Sequence, residues 1–358
     1  MTISFKIYDT SPNWWDTEIK KNNGLFTSTT NWASFYEKLG LGGGKYIEVI
    51  VDKKRTLLVT VYESVLGGGL ILSLPGFILS TMSKLPYFTS LNMHLQPTVL
   101  DKSLLKNEEK LLKISKKTIK FITQYAKKNK KNITASAYVC FKNQDHAIEL
   151  RDENANISEL LGTSRLKLVS EEVNYKSLPN SVKNKINKAL KSDVEIVQLK
   201  NNDISDYVEG LRIGWGANKL ALNNDLYYKT FSELFPESIT FFVAKYKGQV
   251  LAGSGVMSYG KTMLEFGIYM TPLARELKIP GGDLLKWELI KFGIKNKFSF
   301  LDLNMIGVTD KGELEEKIDN INYYKTKWGG TPMYGIRITS LVAPLIIVQK
   351  TKRKFLGY

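Results

Sequence analysis

Lys325 lies in the run Asn322-Tyr323-Tyr324-Lys325-Thr326-Lys327-Trp328-Gly329-Gly330, with aromatic residues close on both sides. An ammonium beside apolar rings is partly desolvated, so its field is less screened than in water. Such a cation can stabilise the oxyanion that forms when an amine attacks an ester or thioester, or it can hold a donor phosphate. The competing reading makes Lys325 and Lys327 solvated charges on a short helix. Two carboxylates could serve the same reaction. Glu265 interrupts the apolar run 263–270, and Asp302 lies inside 300–303. A carboxylate in a sheet buried on both faces suits a general base for an ammonium nucleophile, whereas one at a strand end is only solvated.

Pro280-Gly281-Gly282 precedes an apolar helical run. Bare backbone N–H groups at a helix start are a natural anion site. Arg275 and Lys278 lie just upstream, while Asp283 would compete for the same donors. Arg275, Gly281, Gly282 and Tyr324 are the expected donor-binding set. Trp215, between Gly214 and Gly216, and Trp328 are the candidates for an acceptor groove, with core or helix-end packing as the plainer role for Trp215. No metal site is expected, because the only histidines, His94 and His146, have no ligand partner at metal spacing. A Ser-His-Asp triad is disfavoured for the same reason. The single cysteine, Cys140, sits in the apolar run 133–141 and reads as a small core hydrophobe. With one cysteine no disulfide forms within the chain, which favours a reducing compartment.

The elements that must position these residues come in one order, used twice. In the first half an apolar run at 46–51, the charged turn Asp52-Lys53-Lys54-Arg55 and an alternating strand at 56–62 are followed by a strand at 70–74. A helical pattern over 103–128 and a strand at 133–141 complete it. The second half has strands at 239–246, 250–259 and 261–270, with turns at Lys247-Gly248-Gln249 and Gly260-Lys261. A helix over 283–295 and a strand at 299–303 follow. Helical segments lead each half, at 32–39 in the first and at 204–215 and 224–234 in the second. This order predicts an α/β protein (α+β mixed sheet) of two tandem domains, each a mixed central sheet with helices on both faces. The expected domains are 1–175 and 193–358, the latter carrying the donor site. A basic interdomain helix, 176–192, has five lysines and no acid between Lys176 and Lys191.

A chain of 358 residues with 43% hydrophobic and 24% charged content accommodates two such domains. Lys plus Arg exceed Asp plus Glu by 51 to 35, a net charge of +16, which favours anionic partners or simply keeps the protein soluble. The segment 102–131 holds eleven lysines against Glu108 and Glu109. It could track a tRNA backbone or an anionic lipid surface, or only form a solvated helix face. Met1-Thr2-Ile3-Ser4-Phe5-Lys6 lacks the apolar region of a secretory signal. The most apolar stretch, 65–79, is broken by Gly67, Gly68, Gly69, Pro75 and Gly76 and is too short to span a membrane. The expectation is a cytoplasmic protein without a transmembrane segment, with peripheral membrane-surface contact as an option.

Three segments in register resemble the Fem-type transferases, which carry tandem GNAT (N-acetyltransferase-like) domains. They are Leu178-Pro179-Asn180-Ser181-Val182-Lys183-Asn184-Lys185-Ile186-Asn187-Lys188-Ala189; Pro280-Gly281-Gly282-Asp283-Leu284-Leu285-Lys286-Trp287-Glu288-Leu289-Ile290 with Phe300-Leu301-Asp302; and Tyr324-Lys325-Thr326-Lys327-Trp328-Gly329. The family has Phe-Lys and then an aromatic-Gly at the last, where this chain has Tyr324, and a Gly or Arg-rich turn is common where it has Asn304. The resemblance covers 176–334 and is one of element order before that. It implies transfer of an acyl or aminoacyl group to an amine of a cell-envelope precursor or peptide, with aminoacyl-tRNA or acyl-CoA as donor. It also favours Asp302 as a site residue. Two other functions stay open at this point: an acyl-CoA-dependent N-acyltransferase acting on a small amine or amino sugar, and a non-enzymatic RNA- or membrane-surface-binding protein on a GNAT scaffold.

Overall fold

A computed structural model describes residues 1–65, 88–94, 96–199, 204–217, 225–310, 314 and 316–341. The expected strand at 70–74, most of the apolar stretch 65–79 and the basic end 350–354 lie outside them. In chain order the elements are β1 (Ile3–Tyr8), α1 (Trp15–Lys21), α2 (Thr30–Lys38), β2 (Gly44–Val51), β3 (Lys54–Val65), β4 (Thr89–Asn92), β5 (Thr98–Val99), α3 (Glu108–Lys128), β6 (Asn132–Phe141), α4 (Gln144–Glu153) and β7 (Ser158–Lys167). There follow α5 (Glu171–Ser177), α6 (Asn180–Lys191), β8 (Glu195–Gln198), α7 (Ser205–Ala217), α8 (Asp225–Leu234), β9 (Ile239–Tyr246), β10 (Gln249–Tyr259), β11 (Thr262–Met270), α9 (Pro272–Glu276), α10 (Gly281–Lys295), β12 (Phe300–Gly307), α11 (Glu316–Thr326) and β13 (Thr331–Ser340).

The chain divides into two compact units. The first is Met1–Gly162, Val308–Asp310 and Met333–Tyr358, and the second is Thr163–Gly307 and Lys311–Pro332. The division falls at Gly162 and Thr163 rather than at the basic helix expected between the halves. That helix, α6, belongs to the second unit because its Val182, Ile186 and Ala189 recur at helical spacing and are buried in that unit's core.

Strand order in the first unit is β1-β2-β3-β4-β6-β13, and in the second it is β8-β9-β10-β11-β12-β7. Both sheets are mixed. β4 runs parallel to β6, joined through α3, and β11 runs parallel to β12, joined through α10. The hairpins obey local chemistry. Val51 pairs with Lys54 and Tyr246 with Gln249, leaving two-residue turns at Asp52-Lys53 and Lys247-Gly248. All four turn residues have positive φ, as the tight primed turns of right-twisted hairpins require.

The sixth strand of each sheet is supplied by the other stretch of chain. β13 follows α11 yet pairs with β6, and the second half of β7 follows α4 yet lies beside β12. Gly335 permits the first of these, since a Cβ there would overlap the backbone carbonyl of Tyr138. Cys140 is buried beside the Ser115 hydroxyl, and burial pushes its thiol pKa up, in keeping with a packing role. In the second unit α10 is buried nearly all round. Leu284, Leu285, Leu289 and Ile290 pack on Phe242, Leu251, Leu301 and Leu303. Among the described residues no helix is long and apolar enough to cross a membrane.

Candidate active site

The parallel ladder of β11 and β12 runs over three pairs, Thr262 with Phe300, Met263 with Leu301 and Leu264 with Asp302. Beyond it Asn304 adopts φ 66°, a left-handed conformation that asparagine tolerates. Its amide Nδ2 donates to the Glu265 carbonyl at 2.9 Å, and its Oδ1 accepts from the Met305 N–H at 2.7 Å. A side chain thus takes the place of backbone pairing where the ladder ends.

Glu265 is the first β11 residue past the ladder and is fully buried. Its Oε1 accepts from Ser254 Oγ at 2.8 Å, and its Oε2 pairs with Lys286 Nζ from α10. Lys286 itself is 1% exposed. Lys325 arrives from α11, whose dock on β12 is Asn322. The Asn322 side chain accepts from the Gly307 N–H at 2.9 Å and donates to the Gly307 carbonyl at 2.8 Å. Three residues on, and so on the same helix face, Lys325 Nζ donates to the Met305 carbonyl.

Lys325 is 9% exposed. Burial brings its pKa down to about 8; Glu265 and Asp302 oppose that fall, and Lys286 adds to it. Burial also lowers the pKa of Lys286, against the pull of Glu265 and Asp283. Lys327 is lowered by burial as well, but its ammonium is paired with Asp283 and lies 4.5 Å over the Tyr324 ring. Asp302 is fully buried. It accepts from the Thr163 hydroxyl and, at 3.0 Å, from the Asn304 N–H, and its other oxygen faces Arg165 Nη2 at 3.5 Å.

The structure therefore brings Lys325, Glu265 and Asp302 together around Asn304, with both carboxylates engaged by partners from neighbouring elements. Both Glu265 oxygens are engaged, one by Ser254 and the other by Lys286. Asp302 is likewise held by Thr163, Asn304 and Arg165.

The donor-binding set is only partly assembled. Tyr324 is half-buried and donates its hydroxyl to the Gly282 carbonyl at 3.0 Å, and burial holds the phenol well above its usual pKa. The Gly281 N–H donates to the Ile279 carbonyl at 2.9 Å, and those of Asp283 and Leu284 donate to the Pro280 carbonyl at 3.1 and 3.3 Å. A Cβ on Gly281 would lie 3.1 Å from Leu251 Cδ1, so this glycine serves close helix–sheet packing. At this helix start the N–H groups of Gly281, Asp283 and Leu284 are thus taken by the chain's own backbone. Asp283 is turned to Lys327 and caps nothing. Arg275 is exposed on α9.

Of the acceptor candidates, Trp215 is half-buried on α7 and donates its indole N–H to the Ile268 carbonyl of β11 at 2.9 Å. Trp328 has no exposed surface and belongs to the core of the second unit, so it does not line a groove. Lys286, Ser254, Thr163 and Arg165 were not singled out from sequence. Lys286 carried the one usable signal, a lysine set with Glu288 among Leu284, Leu285, Trp287, Leu289 and Ile290.

The first unit has a neutral counterpart. Its β4–β6 ladder ends at Leu91 and Ile133, and the next residue, Asn92, stands where Glu265 stands in the second. Asn92 donates to Ser64 Oγ at 2.8 Å and accepts from Thr134 Oγ1 at 2.8 Å. Amide and hydroxyl groups occupy the place of the second unit's ions. Among the described residues no cluster of three or more His, Cys, Asp and Glu side chains could hold a metal ion.

No protein-family model matches the chain, and no curated protein matches it in sequence. Its fold is found among solved structures. FemX superposes with a TM-score of 0.61 at 13% identity, covering 96% of this chain and 99% of that one. L-PGS from Bacillus licheniformis gives 0.47 at 10% identity over 96% of each chain. A tandem GNAT protein from the clavulanic acid biosynthesis pathway gives 0.47 at 9% identity, covering 94% of this chain and 97% of that one. The chain thus has a FemX-like fold, a mixed α/β architecture in which one element order occurs twice.

Proposed function

We propose that the chain is an amide-forming transferase that moves an acyl or aminoacyl group onto an amine, with the donor chemistry in the second unit and Lys325 as its cation. The observation that carries this is an ammonium held nearly out of water where the β11–β12 ladder gives way to Asn304. In the reaction the amine nitrogen attacks the donor carbonyl carbon, and the carbonyl electron pair moves onto oxygen. Collapse forms the amide and breaks the C–O or C–S bond, and the proton lost by the amine nitrogen ends on the leaving oxygen or sulfur. Lys325 stabilises the negative oxygen or a donor phosphate, and low local polarity strengthens that interaction. Asp302 and Asn304 fix the strands around it, Tyr324 bounds the donor side, and Trp215 is the remaining candidate for the acceptor side.

The acceptor amine we assign to a cell-envelope precursor or peptide, met by a cytoplasmic enzyme, and the motif likeness to Fem-type transferases supports this. Aminoacyl-tRNA is preferred over acyl-CoA as donor. The helix-start N–H groups of Gly281, Asp283 and Leu284 are engaged by backbone, which leaves little for a diphosphate there. The net charge of +16 suits a polyanionic donor. The thermal midpoint measured with aminoacyl-tRNA, uncharged tRNA or CoA tests this, because a ligand that binds only the native state raises it. The expected result is a rise with aminoacyl-tRNA and none with CoA; a rise with CoA alone contradicts the donor assignment.

A further inference from the structure

We propose that Lys286 is a positioning residue for Lys325: through their common neighbour Glu265 it governs whether Lys325 is charged at neutral pH. This rests on the reading of Lys325 as the functional cation, but its test does not require that reading to be right. The Lys286–Glu265 pair is buried to within 1% on both sides, and breaking either partner leaves an uncompensated charge. Lys286 Nζ also lies 5.7 Å over the ring of Tyr324, the residue before Lys325. The Glu265 carbonyl holds Asn304, and the residue after Asn304 offers the carbonyl that holds Lys325. Glu265 thus meets Lys286 through its carboxylate and is linked to Lys325 through its backbone carbonyl, by way of Asn304 and Met305.

The charged groups that act on Lys325 come from three elements. They are Glu265 on β11, Lys286 on α10 and Asp302 on β12. Asp302 in turn faces Arg165 on β7, and Asp283 of α10 is held by Lys327. Glu265, Asp302 and Asp283 each face a cation, Lys286, Arg165 and Lys327, and of these pairs Glu265–Lys286 is the one whose two members both act on Lys325. With both present, the attraction of Glu265 for Lys325 is offset by the repulsion of Lys286. Without Lys286 the carboxylate would turn wholly to Lys325. Without the charge on Glu265 two ammonium groups would face each other.

The test is direct titration of Lys325 in the full-length protein labelled with ¹³C,¹⁵N-lysine, its side-chain resonance assigned with Lys325→Arg. In Lys286→Met the titration midpoint should rise by about one pH unit, and in Glu265→Gln it should fall by about as much. The double variant Glu265→Gln/Lys286→Met carries neither charge and should lie between the two, which keeps the proposal testable if a single variant fails to fold. A midpoint unchanged in every folded variant, or one that moves in the same direction in both single variants, overturns the proposal. Loss or survival of transfer in Lys325→Ala judges the functional reading separately.

Discussion

Burying an ammonium opposes folding, and Lys325 imposes that penalty at neutral pH. Its folded pKa is about 8, against an ordinary lysine value of 10.5. Between those values the unfolded chain binds a proton that the folded chain lacks, so this group's contribution makes stability rise with pH there and leaves it level below pH 8. Lys325→Met should therefore stabilise the fold by about 3 kcal/mol at neutral pH, with the difference shrinking as pH rises through that window. Urea denaturation at neutral and alkaline pH measures it, and a less stable Met variant would contradict the account. Asn304 offers a second check. Asn304→Gly keeps the left-handed backbone and loses only the amide bridge, whereas Asn304→Ala loses the bridge and strains the backbone. The alanine variant should be the less stable by about 1 kcal/mol. Lys325 was legible in the sequence because a lysine between aromatics is chemically conspicuous. The neutralising partners of Glu265 and Asp302 were not, because the pairings Lys286–Glu265 and Arg165–Asp302 join separate stretches of chain.

At the level of elements, α11 is docked on β12 beside Lys325 by Asn322, which binds both backbone groups of Gly307. Asn322→Ala should cost about 1–3 kcal/mol in stability and should slow transfer more than it weakens substrate binding, since it moves Lys325 rather than removing it. Separate measurement of kcat and KM distinguishes these effects. Trp328 ends the same segment in the core, so Trp328→Ala should cost about 3–5 kcal/mol through the cavity it leaves. The hairpins and α10 could be read from sequence, because positive-φ turns and long apolar runs are local signals. The Pro280-Gly281-Gly282 start leaves two readings open in the sequence. A glycine required for helix–sheet packing and one required for an anion have the same appearance until Leu251 is seen beside Gly281.

On the scale of the whole molecule, the chain uses one element order twice and exchanges the last strand of each sheet. The duplication was visible in sequence. The exchange was not, because alternating residues in β13 fit any antiparallel neighbour and pairing with β6 spans some two hundred residues of chain. Deleting β13 should expose β6, so hydrogen exchange along Ile133–Phe141 should accelerate in the truncated protein, while unchanged protection would contradict the assigned pairing. The two units differ in chemistry more than in plan. Asn92 with Ser64 forms a neutral bridge, and Glu265 with Ser254 anchors an ionic one, which is why the transfer reaction is assigned to the second unit. The central claim is that the Lys325 cation drives amide formation. Its most direct test is the rate of transfer from aminoacyl-tRNA to amine acceptors, measured from acid to alkaline pH for the wild-type protein and for a folded Lys325→Ala variant. The account predicts a wild-type rate that falls as pH rises past about 8 and a variant slower by about 100-fold or more without that fall. A variant that keeps the wild-type rate and the wild-type pH profile would contradict it.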